Sequence, residues 1–392
     1  MATRTIKRTA RGKAAEITVK TPPELPDMLK EIGNRYGAHV VTTADKTMQP
    51  LRISTGVFLL DFCLLGGIPV SRGTMLLGKK HSGKTSLACL IASNAQTMFP
   101  DQRVVVMDIE GTFDTNWAAK LGVDLSTLLL VQPESGEAAC DIVDGLVRTK
   151  EVSMVIVDSV AALSPMKEID SSTEDVNVGL QARLMGTLLR KTTAGMIAER
   201  HRGHLVTPVY INQYRARIGG GTGGFTGEPL MVPGGHALGF ANSVEIKITN
   251  WEKTKTIRGM DILSHNEHTF KIEKNKLHGG MRTGEFRLVR SFDPKVGLDE
   301  GAIDDGGTLL AFAKTFDAYS GGGSSWTLRF WDEEHKFRGV EDAITNLYQN
   351  GSLYSKLRDY LIWENARFCG MDEEFLSRFT RAYDLDFNGE PV

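Results

Sequence analysis

Between residues 51 and 290, short apolar runs alternate with longer segments whose apolar residues recur every three or four positions. The short runs are Thr74-Met75-Leu76-Leu77, Val104–Asp108, Leu128–Val131, Met154–Asp158, Val206–Ile211 and Val244–Ile248. They are largely continuous in apolar character rather than alternating, the signature of strands buried on both faces. Ser86–Thr97, Gly136–Thr149 and Gly179–Glu199 read as helices between them. This order predicts an α/β fold with a mostly parallel central sheet covered on both sides.

The two ends have a different rhythm. Residues 1–50 hold a polar stretch and then Pro26-Asp27-Met28-Leu29-Lys30-Glu31-Ile32, the start of an amphipathic helix too short to fold alone. Beyond the core, Gly321-Gly322-Gly323-Ser324-Ser325 predicts a flexible break, and Val340–Phe368 shows helical periodicity rich in aromatics. The expected organisation is a segment 1–50 that packs on another surface, a core domain 51–292 and a smaller α+β domain 293–392. No internal repeat is visible.

Composition narrows the class. A chain of 392 residues, 41% hydrophobic and 24% charged, matches ordinary globular protein and has room for two or three domains. No apolar stretch approaches the ~20 residues of a membrane span, and the N-terminal MATRTIKRTARGK lacks the apolar core of a secretory signal. Cys63, Cys89, Cys140 and Cys369 show no C-x-x-C spacing, which argues against a zinc site or a disulfide framework and for a reducing, cytoplasmic or nucleoplasmic setting. The net charge of -2 carries no global sign of a nucleic-acid partner. Its distribution is uneven: residues 1–20 carry six basic residues against Glu16, and residues 372–390 carry six acids against Arg378 and Arg381. Solvated tails and binding segments both fit that pattern.

Chemistry enters with Gly78-Lys79-Lys80-His81-Ser82-Gly83-Lys84-Thr85, which fits G-x-x-x-x-G-K-[ST]. It lies between a predicted strand and a predicted helix that begins at Ser86, where backbone N–H groups and the helix dipole hold phosphate. Lys84 would reach the β- and γ-phosphates, and the Thr85 hydroxyl would ligate Mg²⁺. Asp158 ends another apolar strand, the place from which a carboxylate holds Mg²⁺ beside such a loop. Glu110 follows the Val104–Asp108 strand, either as the group that orients or deprotonates the attacking water or as a surface residue opening the turn at Gly111.

Val209-Tyr210-Ile211-Asn212-Gln213 is a strand ending in amides, and Gln213 could sense the γ-phosphate. It feeds residues 219–235, which hold eight glycines, among them Gly219, Gly220, Gly234 and Gly235, and no basic residue. No packed core can form from such a segment, so it predicts a ligand-ordered loop rather than a linker. Arg215 and Arg217 precede it. A second polar stretch, Glu168–Asn177, leads into a helix on which Arg183 and Arg190 share a face. Two mobile loops beside basic residues suit an extended polyanion such as single-stranded DNA.

Taken together these motifs resemble the RecA family of DNA recombinases. Gly78–Thr85 is similar to its phosphate loop and Val155–Leu163 to its Mg²⁺ strand. Lys120–Asp124, Gln132–Glu137, Ile211–Arg215, Gly234–Leu238 and Phe270–Lys276 are similar to further family segments, so the likeness runs from about Leu51 to about Leu328. The resemblance implies a RecA-like ATPase core using ATP and Mg²⁺. Glu110 would be the catalytic glutamate, Asp114 and Trp117 adenine contacts, and Gln213 the coupler of γ-phosphate to DNA. Residues 168–179 and 219–235 would be DNA loops, with Arg183, Arg190 and Arg215 as basic partners. Lys274 and Lys276 would reach ATP on a neighbouring subunit, which implies a helical homo-oligomeric filament with residues 1–50 docked on the adjacent protomer.

The implied activity is DNA-stimulated ATP hydrolysis coupled to homologous pairing and strand exchange. Single- and double-stranded DNA, further copies of the chain, and single-strand-binding and mediator proteins would be the partners, in the cytoplasm of a bacterial or phage-infected cell and with no membrane. The chain departs from the family at His81, usually serine, and at Arg290-Ser291, where a tyrosine-glycine pair frames the adenine. Its divergent ends suggest a phage-encoded or distant member. A ring helicase would need an arginine finger and an unwinding domain, and the Lys274/Lys276 pair argues against it. A regulatory paralogue is disfavoured because the hydrolytic residues are all present, and a P-loop kinase because no acceptor lid is evident.

Overall fold

The computed structural model describes residues 3–10, 13–20, 24–37, 40–41, 49–167, 179–216, 230–231, 241–257 and 260–383. Contacts divide the chain into Met1–Gln49 and Pro50–Val392. The first unit holds an antiparallel hairpin, β1 (Thr3–Ala10) with β2 (Lys13–Lys20), and helix α1 (Leu25–Tyr36). Pro26 sits in the first turn of α1, where a missing N–H costs nothing. The apolar side chains Leu25, Met28 and Leu29 are all exposed.

The second unit opens with the short strands β3 (Arg52–Ile53) and β4 (Ile68–Pro69) around helix α2 (Phe58–Leu64). The central layer then begins with β5 (Thr74–Gly78), which leads through the phosphate loop into α3 (Lys84–Met98). It continues as β6 (Arg103–Asp108), α4 (Thr115–Lys120), β7 (Leu128–Val131), α5 (Gly136–Arg148), β8 (Val152–Asp158), α6 (Leu180–His201) and β9 (Thr207–Gln213). The two-residue strands β10 (Arg215–Ala216) and β11 (Leu230–Met231) pair with each other. Finally β12 (Val244–Ile257), β13 (Met260–Asn275) and β14 (Thr283–Val289) complete an eight-stranded sheet of order β14-β13-β12-β5-β9-β8-β6-β7.

The run from β12 to β7 is parallel, while β13 and β14 join antiparallel. Continuous apolar runs were the expected sign of strands buried on both faces, and alternate residues do enter two cores. Leu76, Val104, Val106, Ile156 and Ile211 pack on one side with Leu87 and Ile91 of α3. Met75, Leu77, Val105, Met107, Val155 and Val157 pack on the other with Val143 of α5 and Leu188 of α6. Cys63, Cys89 and Cys140 are buried in these layers, and all four cysteines are free thiols.

The parallel register aligns the C-terminal ends of the strands. Gly78 is opposite Gln213, and Asp108 is opposite Asp158. In open parallel sheets that edge is where ligands bind. The β12–β13 hairpin was underread in the sequence. It pairs with β5 only over Val244–Ile248 and then continues past the sheet edge to Ile257.

Residues 293–392 fall in the same unit as the core. They comprise α7 (Gly306–Thr315), the antiparallel strands β15 (Tyr319–Gly322), β16 (Ser325–Phe330) and β17 (Glu333–Phe337), and helices α8 (Val340–Gln349), α9 (Gly351–Phe368) and α10 (Glu373–Thr380). The glycine run expected as a flexible break is instead the tight turn between β15 and β16, with Gly322 paired to Ser325 and φ of +58° at Gly323. The single periodic run Val340–Phe368 is two helices, parted at Asn350, whose side chain accepts from Leu353 N at 3.1 Å and starts the second. Buried Asp305 ties this region to α2: it accepts from Phe58 N at 3.0 Å and from Tyr354 Oη at 2.8 Å. Burial raises its pKa to about 6. Among the described residues no helix is long and apolar enough to cross a membrane.

Leu76 is fully buried at the centre of β5. Leu76→Ala should therefore cost about 2–5 kcal/mol of unfolding free energy, read from urea titration with an unchanged m-value. A loss well below about 1 kcal/mol would contradict the central placement of β5.

Candidate nucleotide site

The phosphate loop takes its shape from two positions where no side chain fits. A Cβ on Gly78 would lie 2.6 Å from Ile248 O and closer still to Ser82 Oγ. Gly83 has φ of +89° and abuts the imidazole of His268, whose Nδ1 would be 2.9 Å from an added Cβ. His81 stands at φ of +61°, a region that costs a non-glycine residue about 1–2 kcal/mol. The β12–β13 hairpin braces this backbone from outside: Asn250 Nδ2 donates to His81 O at 3.2 Å, and His268 Nδ1 lies 3.2 Å from Ser82 O. Burial lowers the His268 pKa to about 4, so the ring is neutral at neutral pH and Nδ1 carries the proton that the carbonyl accepts.

Lys84, the first residue of α3, is buried and donates from Nζ to Lys79 O at 2.6 Å, with Ser82 Oγ at 3.4 Å. Its ammonium therefore lies across the loop it would share with a triphosphate. Burial pushes its pKa down, against the pull of Asp158 and Glu110. Thr85 Oγ1 donates to Asp158 Oδ2 at 2.6 Å. Burial raises the Asp158 pKa, and the Thr85 hydrogen bond opposes that rise. A hydroxyl and a carboxylate in contact beside a phosphate loop offer the hard oxygen ligands that Mg²⁺ prefers, so the residues fit the metal.

Glu110 Oε1 accepts from Ser159 Oγ at 2.6 Å and from Gln213 Nε2 at 2.8 Å. The ends of β6, β8 and β9 thus meet on one carboxylate. Lys80, His81, Ser82, Gly83, Lys84, Thr85, Ser86, Glu110, Asp158 and Gln213 all line one pocket of about 340 Å³. The parallel sheet gathers them from positions as far apart as 80 and 213.

Other sequence-predicted residues are placed elsewhere. Asp114 caps α4 by accepting from Trp117 N at 3.0 Å, and Trp117 Nε1 donates to Ser86 Oγ at 3.0 Å. Neither lines the pocket, and the indole is covered by the Arg290 guanidinium, 4.0 Å from the ring centroid. Lys274, near the end of β13, lies 3.9 Å from Glu245 Oε1, and neither it nor Lys276 lines the pocket of its own chain. Arg183 and Arg190 are exposed on α6. Arg215 lies in β10, opposite Met231. Arg217, Gly219, Gly220, Gly234, Gly235 and residues 168–178 lie outside the described residues.

Sequence reasoning missed Ser159, Asn250, Asn266 and His268. The last three lie between the two strands read there, Val244–Ile248 and Phe270–Lys276, and no local pattern announces that this stretch is strand and returns to the loop.

The loop, the acid at a neighbouring strand end and the strand order define a P-loop nucleotide-binding protein of the α/β class. Residues 24–292 match the RecA N-terminal domain family. The chain is 37% identical to Protein RecA of Streptomyces venezuelae over 281 residues, 71% of this chain and 70% of the relative. It is 34% identical to Protein RecA of Frankia alni over 336 residues, 85% and 90% of the two chains. Protein RecA of Chlorobium chlorochromatii is 40% identical over 238 residues, 60% and 64% of the two. The chain belongs to the RecA family. The family match begins at residue 24, so α1 falls within it, ahead of the point near Leu51 where the likeness was placed from sequence.

Gly83→Ala should weaken nucleotide binding at least tenfold, through strain at positive φ and collision with His268. Because the two sites touch, Gly83→Ala and His268→Ala should be less than additive in a double-mutant cycle on stability. Simple additivity would show that the imidazole does not brace the loop.

Proposed function

We propose that the protein is a DNA-dependent ATPase that polymerises on single-stranded DNA and promotes homologous pairing and strand exchange. The observation that carries this reading is the single Glu110 carboxylate held between Ser159 and Gln213 beside the phosphate loop. Membership of the RecA family supports it.

ATP would supply the reactive γ-phosphate, and Mg²⁺ bound with it would neutralise phosphate charge. The loop N–H groups and Lys84 bind and orient the phosphates, and Thr85 and Asp158 present the oxygens that hold the metal. Glu110 takes the proton of the water aligned on the γ-phosphate. Gln213 exchanges its contact with Glu110 for one near the γ-phosphate, and because β10 follows it directly, that exchange bears on the segment behind it. The segments 168–179 and 219–235, with Arg183, Arg190, Arg215 and Arg217, hold the DNA backbone. Lys274 and Lys276 complete the site of an adjacent protomer, and residues 1–50 dock on that neighbour.

Lys84→Ala should abolish nucleotide binding. Glu110→Gln should keep nucleotide and DNA binding while slowing hydrolysis by about 10²–10⁴; near-normal turnover would remove Glu110 from the mechanism. The deciding experiment is the ATPase rate with and without single-stranded DNA, with electron microscopy of the same sample. Lack of stimulation together with lack of filaments would overturn the reading.

A further inference from the structure

The nucleotide pocket has two distinguishable ends. Glu110 and Gln213 mark one, where the γ-phosphate belongs. The nucleoside must then lie toward Ser86, Leu263, Leu288 and Arg290, which are among the residues lining the rest of the pocket. Leu263 and Leu288 give that end apolar surface for a flat ring.

Arg290 is fixed there from two directions. Its backbone N donates to Ser264 O at 2.8 Å. Its guanidinium sits 4.0 Å from the centroid of Trp117, whose own Nε1 is pinned to Ser86 Oγ at 3.0 Å. The indole covers one face of the guanidinium, so a base entering this end meets Arg290 and not the indole itself. Arg290 Nε is buried and has no hydrogen-bond partner among the described residues.

A guanidinium offers donors only. Guanine presents two adjacent acceptors, N7 and O6, whereas adenine presents N7 beside an amino donor. Among the described residues Asn266 Oδ1 and His268 Nε2, on the same wall, are also buried without hydrogen-bond partners. Both are acceptors, since Asn266 Nδ2 donates to Asn250 Oδ1 and His268 Nδ1 faces Ser82 O, and they suit ribose hydroxyls.

We propose that Arg290 is a specificity-determining residue whose guanidinium, with one face on Trp117, donates in its own plane to the acceptor edge of the base, so that the site takes guanine nucleotides on a par with adenine nucleotides. The proposal rests on the nucleotide-site reading above and adds the substrate class.

The test is equilibrium binding of ribose-labelled fluorescent ATP and GTP to the full chain with Mg²⁺ and without DNA. In the unmodified protein the two affinities should lie within about tenfold of each other, and R290A should weaken GTP roughly tenfold more than ATP. R290K keeps the charge without the planar fork; it should shift selectivity in the same direction, with a thermal melt confirming that it folds. A preference for ATP above about a hundredfold in the unmodified protein would overturn the proposal. So would equal weakening of both nucleotides by R290A, which would mean that Arg290 contacts the nucleotide without reading its base. If instead the unmodified protein binds neither nucleotide better than Lys84→Ala does, the nucleotide-site reading itself falls.

Discussion

Everything at the nucleotide site depends on the backbone of Gly78–Gly83 being squeezed between its own strand and the β12–β13 hairpin. Two glycines make room for it, Ile248 O and His268 set the limits of that room, and Asn250 ties it down. A loop of this sequence without such a brace would sample many conformations, and its N–H groups would not converge on one anion. The hairpin is thus part of the phosphate site although the contacts span 169 and 186 residues of chain.

The parallel sheet supplies the second ingredient, a meeting of charges that would be costly anywhere else. Lys84 is buried and Asp158 half-buried, and burial disfavours the charged form of each. What makes the arrangement tenable is a set of short contacts, Lys84 to Lys79 O and Thr85 to Asp158, that serve in place of ligand atoms. A polyphosphate and its cation would replace these internal partners with stronger ones, so binding relieves a cost already built into the fold.

The sheet and its ligand edge were largely legible because their signals are local. Continuous apolar runs identify strands buried on both sides, and the fixed spacing of Gly78, Gly83, Lys84 and Thr85 identifies the loop. Roles that depend on distant pairing were not. Glu110 gained its role from resemblance rather than position, and the sharing of Glu110 Oε1 by Ser159 and Gln213 is a fact of strand order. His268 reads in sequence as one polar residue in a strand of mixed character. In the C-terminal α+β region the glycine run was misread as a break because Gly321–Gly323 carries a tight turn with the same composition that marks a linker, and only pairing across it separates the two.

One strand also has a metric consequence. His268 braces the loop of its own chain, and Lys274 stands six residues further along β13. At about 3.3 Å per residue that is a span of roughly 20 Å. In the proposed assembly, where Lys274 and Lys276 engage a neighbour's nucleotide, β13 is a ruler lying between consecutive phosphates. The repeat of the polymer would then be set by the stiffness of hydrogen-bonded backbone, and a change of spacing would have to come from tilting whole subunits rather than from stretching within one.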